Sequence, residues 1–564
     1  MSLLRNTSED HTERHLADLL RLGRELCTED GDAVSTSVSP TLQATIPLDG
    51  NLSDEDIEPY LTDLLHLGRE LSPDNQAFVR DLSKRTQSEN TRSKCSSLFA
   101  PIRKLLPELL SMILVLAVSP TFLHPHPRGH EFDWSACAIS RVCFHWRQVC
   151  LATPQLWSNL DFEFDGHFAK GAVRQALLHL ERSGTVPLTL TFEINGDRPQ
   201  NAYDRKTYKK FLKPLFEQSF RWSSLTIHGT ATGMAGFIPL LETLKLTNLI
   251  AFTNSVASTT RDGAPLNLLE FLRGRAPNLR SFINYAGYEA SWYRSFTSFK
   301  GLRHLTVSGY RADTILEAIR ACGSSLESME LRIYIHRNKV DVRSTNIPIM
   351  ILPSIHTLSI RCIMRCTERI SDVGPHLSNI LGSLIAPSLV SFTLESKDYI
   401  CNRPSTETSL FSCIQDFFAR SKFRLRSLRL SGVPCSTLDL LHVLEAEMMR
   451  EIEQLTIHEA TPLTDSERRQ LISTEVVNAL SVNSDSVDIL LPQLRELTLI
   501  VMKGWERGVF EEMVESRSRH GLESIHAGPL TYWADFTVDV ERLGQLELAV
   551  RIPGVTGLPF FGES

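Results

Sequence analysis

A triplet of the form apolar-x-x-apolar-x-apolar constrains this chain more than any other feature, because it returns again and again through the C-terminal part of its 564 residues. Clear copies are Trp222-x-x-Leu225-x-Ile227, Leu241-x-x-Leu244-x-Leu246, Leu302-x-x-Leu305-x-Val307, Leu326-x-x-Met329-x-Leu331 and Ile355-x-x-Leu358-x-Ile360. They continue as Leu389-x-x-Phe392-x-Leu394, Leu425-x-x-Leu428-x-Leu430, Ile452-x-x-Leu455-x-Ile457 and Leu494-x-x-Leu497-x-Leu499, with weaker copies from Leu279, Leu522 and Leu543. In an extended strand Leu428 and Leu430 share one face and Arg429 takes the other. A single short strand cannot bury its apolar side, so neighbouring copies must stack into a common core. Helix-like stretches precede several copies (314–322, 411–420 and 438–449), so the pattern predicts strand and helix in alternation.

The copies recur about every 29 residues, at the upper end of the 20–29 residue leucine-rich repeats that the pattern resembles. That resemblance implies an irregular, curved solenoid with parallel strands over 185–564. The consensus asparagine after the strand is largely missing, with Thr247-Asn248 the nearest. The chain is too long for one hydrophobic core. Lys and Arg number 59 against 66 Asp and Glu, a net charge of −7, which argues against nucleic acid or an anionic membrane as the main partner. Eleven cysteines are scattered and odd in number, and no apolar signal segment opens the chain, so reduced thiols in the cytoplasm and/or nucleus are expected. The longest apolar run, 105–118, contains Pro107 and Glu108 and is too short to cross a membrane.

Residues 1–97 are polar and carry a duplication. His15-Leu-Ala-Asp-Leu-Leu-Arg-Leu-Gly-Arg-Glu-Leu26 returns as Tyr60-Leu-Thr-Asp-Leu-Leu-His-Leu-Gly-Arg-Glu-Leu71, nine identities in twelve at an offset of 45. Leucines at helical spacing make both copies (15–26 and 60–71) amphipathic helices. The Ser-, Thr-, Asp- and Gly-rich stretch 27–59 reads as a disordered linker. Either the pair binds a partner or forms an oligomerising segment, or one copy docks on the body of the protein and the other is a tolerated duplicate.

Residues 98–164 hold three ordered pieces: Leu106-Pro107-Glu108-Leu109-Leu110, then Arg141-Val142-Cys143-Phe144-His145-Trp146-Arg147, then Thr153-Pro154-Gln155-Leu156-Trp157. Pro107 suits the first turn of a helix. Leu106, Leu109, Leu110, Ile113 and Leu116 form one stripe of that helix, and Met112, Leu114 and Val115 are apolar on its other side. A helix apolar all round must be covered on more than one side. These pieces resemble the F-box, in the form common in mushroom-forming fungi. Two departures are Leu106 in place of a second proline and a long His- and Pro-rich loop, 119–134.

The resemblance implies a substrate receptor. Its F-box would dock a Skp-type adaptor and through it a cullin–RING ubiquitin ligase, and its repeats would hold an unknown protein substrate. Carried over by motif position, Leu106, Pro107, Leu109, Leu110 and Ile113 would form the adaptor face. Val142, Trp146 and Trp157 would be shared between that face and the domain's own core. The alternative is a repeat scaffold outside any ligase. An enzyme is not expected: no phosphate loop, dinucleotide fingerprint or nucleophile motif occurs, and no cofactor is implied. Cys137, Cys143, His145 and Cys150, near His124, His126 and His130, lack zinc-finger spacing. Cys362 and Cys366 lack a second pair, so no metal is expected. Arg303, Glu330, Arg426, Arg429, Arg495 and Glu496 are the outward charges best placed to touch a ligand.

Overall fold

The computed structural model describes residues 54–67, 71–85, 89–117, 121–123, 136–164, 170–194, 212–230, 241, 244–257, 272–285, 299, 301–309, 312–335, 348–364, 373–397, 409–433, 436–459, 471–482, 489–501, 505, 508–529, 540–543, 546 and 548–551. They form a mixed α/β protein of two compact units, one up to Ser223 and one from Ser224. The described residues of 185–194 and 212–223, grouped above with the ladder, belong to the first unit. The helix copy at 15–26 lies outside the described residues.

The second helix copy starts earlier than the duplication suggests. Its helix spans Asp54–Leu67. It is one member of a three-helix core with Pro73–Arg85 and Glu89–Leu98. Leu61, Leu64, Leu65, Leu71, Val79, Cys95 and Leu98 fill that core. This copy therefore packs against the two helices that follow it in the chain. Arg103, buried, donates from Nη1 to Leu64 O and from Nη2 to Leu65 O, at 3.3 and 3.1 Å. Carbonyls at a helix C-terminus lack intrahelical partners, and here a guanidinium supplies them.

The first unit also holds three parallel strands: β1 (Thr121–Leu123), β2 (Asn159–Phe164) and β3 (Leu188–Ile194). Leu160 pairs with Leu190 and Phe162 with Phe192, and the Phe162 and Phe192 rings stack at 5.3 Å. Trp157-x-x-Leu160-x-Phe162 is thus a ladder copy, all three residues fully buried. The same tryptophan also ends the 153–157 motif.

In the second unit the strands follow one another in chain order. They are β4 (Trp222–Thr230), β5 (Ala251–Ala257), β6 (Ser281–Asn284), β7 (His304–Gly309), β8 (Ser328–Ile335), β10 (Thr357–Met364), β12 (Ser391–Lys397), β13 (Ser427–Ser431), β14 (Gln454–His458), β15 (Glu496–Val501), β16 (Ser524–Pro529) and β17 (Ala549–Arg551). Every pairing among them is parallel. A separate two-stranded pair joins β9 (Met350–Ile351) to β11 (Leu384–Ile385). The register aligns the triplets. Leu358, Phe392, Leu428, Leu455, Leu497 and Ile525 make one inward row, and Ile360, Leu394, Leu430, Ile457, Leu499 and Ala527 the next. All of these are buried. Helices such as Ala312–Cys322, Val373–Gly382, Ser409–Ser421, Thr437–Leu444 and Val509–Ser518 fall between successive strands, as parallel pairing requires.

Two ladder copies sit elsewhere than the spacing suggests. Leu241, Leu244 and Leu246 are buried but form no strand. The strand comes one step later, as Leu249-x-x-Phe252-x-Asn254, with Phe252 beside Leu225. Its third position is polar, and so is Asn284 in the Leu279 copy. Both amides are buried, and Asn254 Nδ2 donates to Asn284 Oδ1 at 2.8 Å. A pair of buried amides that satisfy each other is tolerated where a lone one would not be. At the other end, the Leu543 copy ends a helix, Val540–Leu543, and β17 starts only at Ala549.

Candidate partner-binding face

The F-box-like pieces form a small helical core. Pro107 opens the helix Pro107–Ala117, where its missing N–H is not needed, and Leu106 O accepts from Leu110 N at 2.9 Å. A short helix, Ala136–Ile139, and then Phe144–Ala152 follow. Cys143 caps the latter, its Sγ accepting from Trp146 N at 3.4 Å. Pro154 begins a 3-10 turn, Pro154–Trp157, and Thr153 Oγ1 donates to Val149 O at 2.7 Å. Leu110, Leu114, Ala136, Ile139, Cys143, Trp146, Val149, Cys150, Leu156 and Trp157 pack together, with Val142 at the margin.

The expected face splits in two. Leu106, Leu109 and Ile113 are exposed, at 62%, 48% and 44%, and Pro107 is exposed with them. Leu110 is not on that face: it is fully buried, and with Leu114 it forms the helix's inner side. Trp146 and Trp157 are core residues and Val142 is half-buried. Met112, read from spacing as lying on the other side, and Leu116, left out of the adaptor face, are exposed at 62% and 86%. Leu109, Met112, Ile113 and Leu116 stand at i, i+3, i+4 and i+7, a continuous apolar stripe facing away from the core. The signal was present, but in a helix apolar all round spacing alone does not say which stripe turns inward. Phe144 and Leu151 are exposed large apolar residues on the Phe144–Ala152 helix.

Trp157 is held from several directions. Its Nε1 donates to Cys150 O at 2.8 Å, the His179 ring meets it edge-on at 5.0 Å, and the Arg182 guanidinium lies 4.3 Å from its ring centre. Burial pushes His179 down to about 4, against the help of a hydrogen bond with the Trp157 backbone. Burial pushes the Cys150 thiol up to about 12, so it is a packing group rather than a nucleophile or metal ligand. Cys362, inside β10, is likewise pushed up to about 12, and Cys366, His124, His126 and His130 lie outside the described residues. Among the described residues no three His, Cys, Asp or Glu side chains are placed to hold a metal ion. No helix among them is long and apolar enough to cross a membrane. No protein-family model and no curated protein sequence matches this chain.

Asp161 on β2 is an electrostatic cost that the sequence did not announce. Burial first, then the Glu193 carboxylate, push it up to about 7. Its folded value lies above its unfolded one, so it favours folding below the unfolded value and loses that benefit as pH rises through 7. His179 has the opposite sign: its benefit is full above about 6.5 and is lost as pH falls towards 4. Asp161→Asn is therefore expected to stabilise the first unit at pH 8 by about 1–2 kcal/mol after allowance for partial exposure, and by roughly a third as much at pH 5, where the unfolded carboxyl is already ionised and the folded one is still protonated. Thermal unfolding of wild type and variant at the two pH values checks this, and an equal shift at both would refute the assignment.

The outward ladder charges divide by position. Arg303, Arg426 and Arg495 stand at strand entrances, each reaching the glutamate at the same place in the next strand: Glu327 at 3.1 Å, Glu453 at 3.8 Å and Glu523 at 3.2 Å. They brace neighbours, and the Arg/Glu alternation was legible in the triplets. Glu496 is exposed at the start of β15. Glu330 and Arg429 belong to a larger network that also takes in Arg332, Arg361 and Glu395.

Proposed function

We propose that this chain is a non-catalytic substrate receptor of an SCF-type cullin–RING ubiquitin ligase, working in the cytoplasm and/or nucleus. Its F-box-like bundle docks a Skp-type adaptor, and its strand ladder, a leucine-rich-repeat-like solenoid, holds a protein substrate. The observation that carries this reading is the outward stripe Leu109, Met112, Ile113 and Leu116, on a helix whose other side already belongs to the core. Each exposed side chain of this size gains about 1.5–3 kcal/mol when it is covered. The three ordered sequence pieces name the kind of partner that covers it. The receptor makes and breaks no bond: it raises the effective concentration of a substrate lysine beside the charged conjugating enzyme.

Co-expression of the full chain with a Skp-type adaptor tests the reading. The wild type is expected to co-purify with it, and Leu109→Asp/Ile113→Asp to lose it, with circular dichroism unchanged. A folded, monodisperse wild-type chain that leaves the adaptor behind would refute the ligase assignment in favour of a repeat scaffold.

A further inference from the structure

The outward face of the second unit's sheet carries a linear network of five charged side chains across β8, β10, β12 and β13. Arg332 Nε donates to Glu330 Oε1 at 2.8 Å. Arg361 Nε lies 3.4 Å from Glu330 Oε1 and 3.0 Å from Glu395 Oε2, shared between the two. Arg429 Nε donates to Glu395 Oε1 at 2.9 Å. The two carboxylates thus sit between three guanidiniums: Arg332 and Arg429 are held by hydrogen bonds from their inner nitrogens, and Arg361 by ion-pair proximity to both glutamates. The Nη1 and Nη2 groups, the open end of each fork, make no hydrogen bond among the described residues. Arg332 is further steadied over the Tyr285 ring, 4.1 Å from its centre.

Register shows what surrounds the forks. One outward row reads Glu330, Ser359, Thr393, Arg429, Thr456, Thr498, His526, and the next reads Arg332, Arg361, Glu395, Ser431, His458, Ile500, Gly528. From β8 to β16 these rows carry no carboxylate beyond the two already bracketed, and hydroxyls fill four positions beside the arginines. The side chains of Arg332, Arg361 and Arg429 remain 21%, 32% and 39% exposed. His458, beside Arg429, is pushed down to about 4, chiefly by burial and then by Arg429 and His526, so it is neutral at pH 7. On a chain of net charge −7, this strip is locally cationic.

We infer that the strip of Arg332, Arg361 and Arg429 binds an extended anionic segment of a partner protein, whose oxygens accept from the open guanidinium ends. Guanidinium forks match carboxylate and phosphate oxygens two bonds at a time. Strands about 4.8 Å apart spread the three forks over roughly 14 Å, about four residues of extended peptide. The glutamates orient the forks and leave one positive charge in excess. A cationic or neutral segment would gain nothing from that excess. This deepens the receptor reading by giving the substrate a chemistry, and it rests on that reading only for calling the ligand a substrate.

Immobilised degenerate peptide libraries test the inference on the full chain without any adaptor, so the outcome is independent of F-box docking. One library is rich in Asp and Glu, a second replaces these by Asn and Gln, and a third is the neutral library phosphorylated on serine and threonine. Retention on the acidic or the phosphorylated library but not on the neutral one is expected, and which of the two retains it identifies the source of the oxygens. Arg361→Gln/Arg429→Gln should weaken retention by at least about tenfold with an unchanged melting temperature. If the double variant fails to fold, Arg429→Gln alone, at the most exposed of the three, decides. Equal retention on neutral and anionic libraries, no retention on any, or retention untouched by a folded variant overturns the proposal.

Discussion

Leu110→Asp is expected to unfold the helical core around Trp157, whereas Leu109→Asp, one residue earlier, is expected to leave it intact. Leu110 is fully buried in a cluster of Leu114, Ile139, Trp146, Val149 and Trp157. An aspartate there has no cation or donor to meet it, and an unpaired buried charge costs several kcal/mol at the least. That is a large share of the roughly 5–15 kcal/mol that holds a domain together. Leu109 is 48% exposed, and an added charge on such a surface changes stability by about 0.5 kcal/mol or less. Near-ultraviolet circular dichroism and tryptophan fluorescence on heating compare the two variants. Equal melting of both, high or low, would show that this helix does not turn its 110/114 side inward.

Arg517→Met is expected to destabilise the second unit by about 3–5 kcal/mol, although it keeps the bulk of the side chain. Arg517 is 2% exposed and has no carboxylate partner among the described residues: its Nε donates to Leu480 O, its Nη1 to Leu491 O at 2.9 Å, and its Nη2 to Leu490 O. Leu480 ends the helix Thr474–Leu480, where carbonyls lack intrahelical partners. Leu491 adopts a left-handed backbone, φ 52°, which a leucine adopts only under constraint. Burial lowers the guanidinium to about 10, so it stays charged at neutral pH and donates in full. Methionine would strip the Leu480 and Leu490 carbonyls of this donor and leave Leu491 O with only the Leu494 amide. Urea unfolding, read as a lower midpoint at unchanged slope, measures the loss, and a wild-type midpoint would mean that the carbonyls find other donors. Arg103 and Arg221 do similar work elsewhere: Arg221 Nη2 donates to Val186 O at 2.7 Å and Ser183 O at 3.3 Å.

What could be read in advance follows from how local each signal is. Period two is a property of the strand backbone itself. The triplet therefore identified the inward residues of eight copies without knowledge of their neighbours, and each of these is buried in place. It failed at Leu241 because Leu249-x-x-Phe252-x-Asn254 ends in an amide, whose burial makes sense only beside Asn284. That partner is 30 residues away. The duplicated helix was legible as amphipathic, but its companions were not. Pro73–Arg85 and Glu89–Leu98 are polar overall and contribute only a few apolar residues each to the shared core. The outward network was half visible: Glu330 and Arg429 stood out as strand charges, while Arg332, Arg361 and Glu395 fall after the triplets and are joined only by register.

The parallel ladder, the inward rows, the proline-led helix and the three motif pieces are all written in the chain, because each depends on residues a few positions apart along one strand or helix. Which stripe of the Pro107 helix stays outside is settled by packing between distant residues. Both stripes are apolar, and the choice depends on whether Trp146, Val149 and Trp157 meet Leu110 and Leu114 or Leu109 and Ile113. The same holds for the arginine forks: their inner nitrogens are claimed and their outer ones left open by glutamates one or two strands away, a relation that no linear spacing encodes.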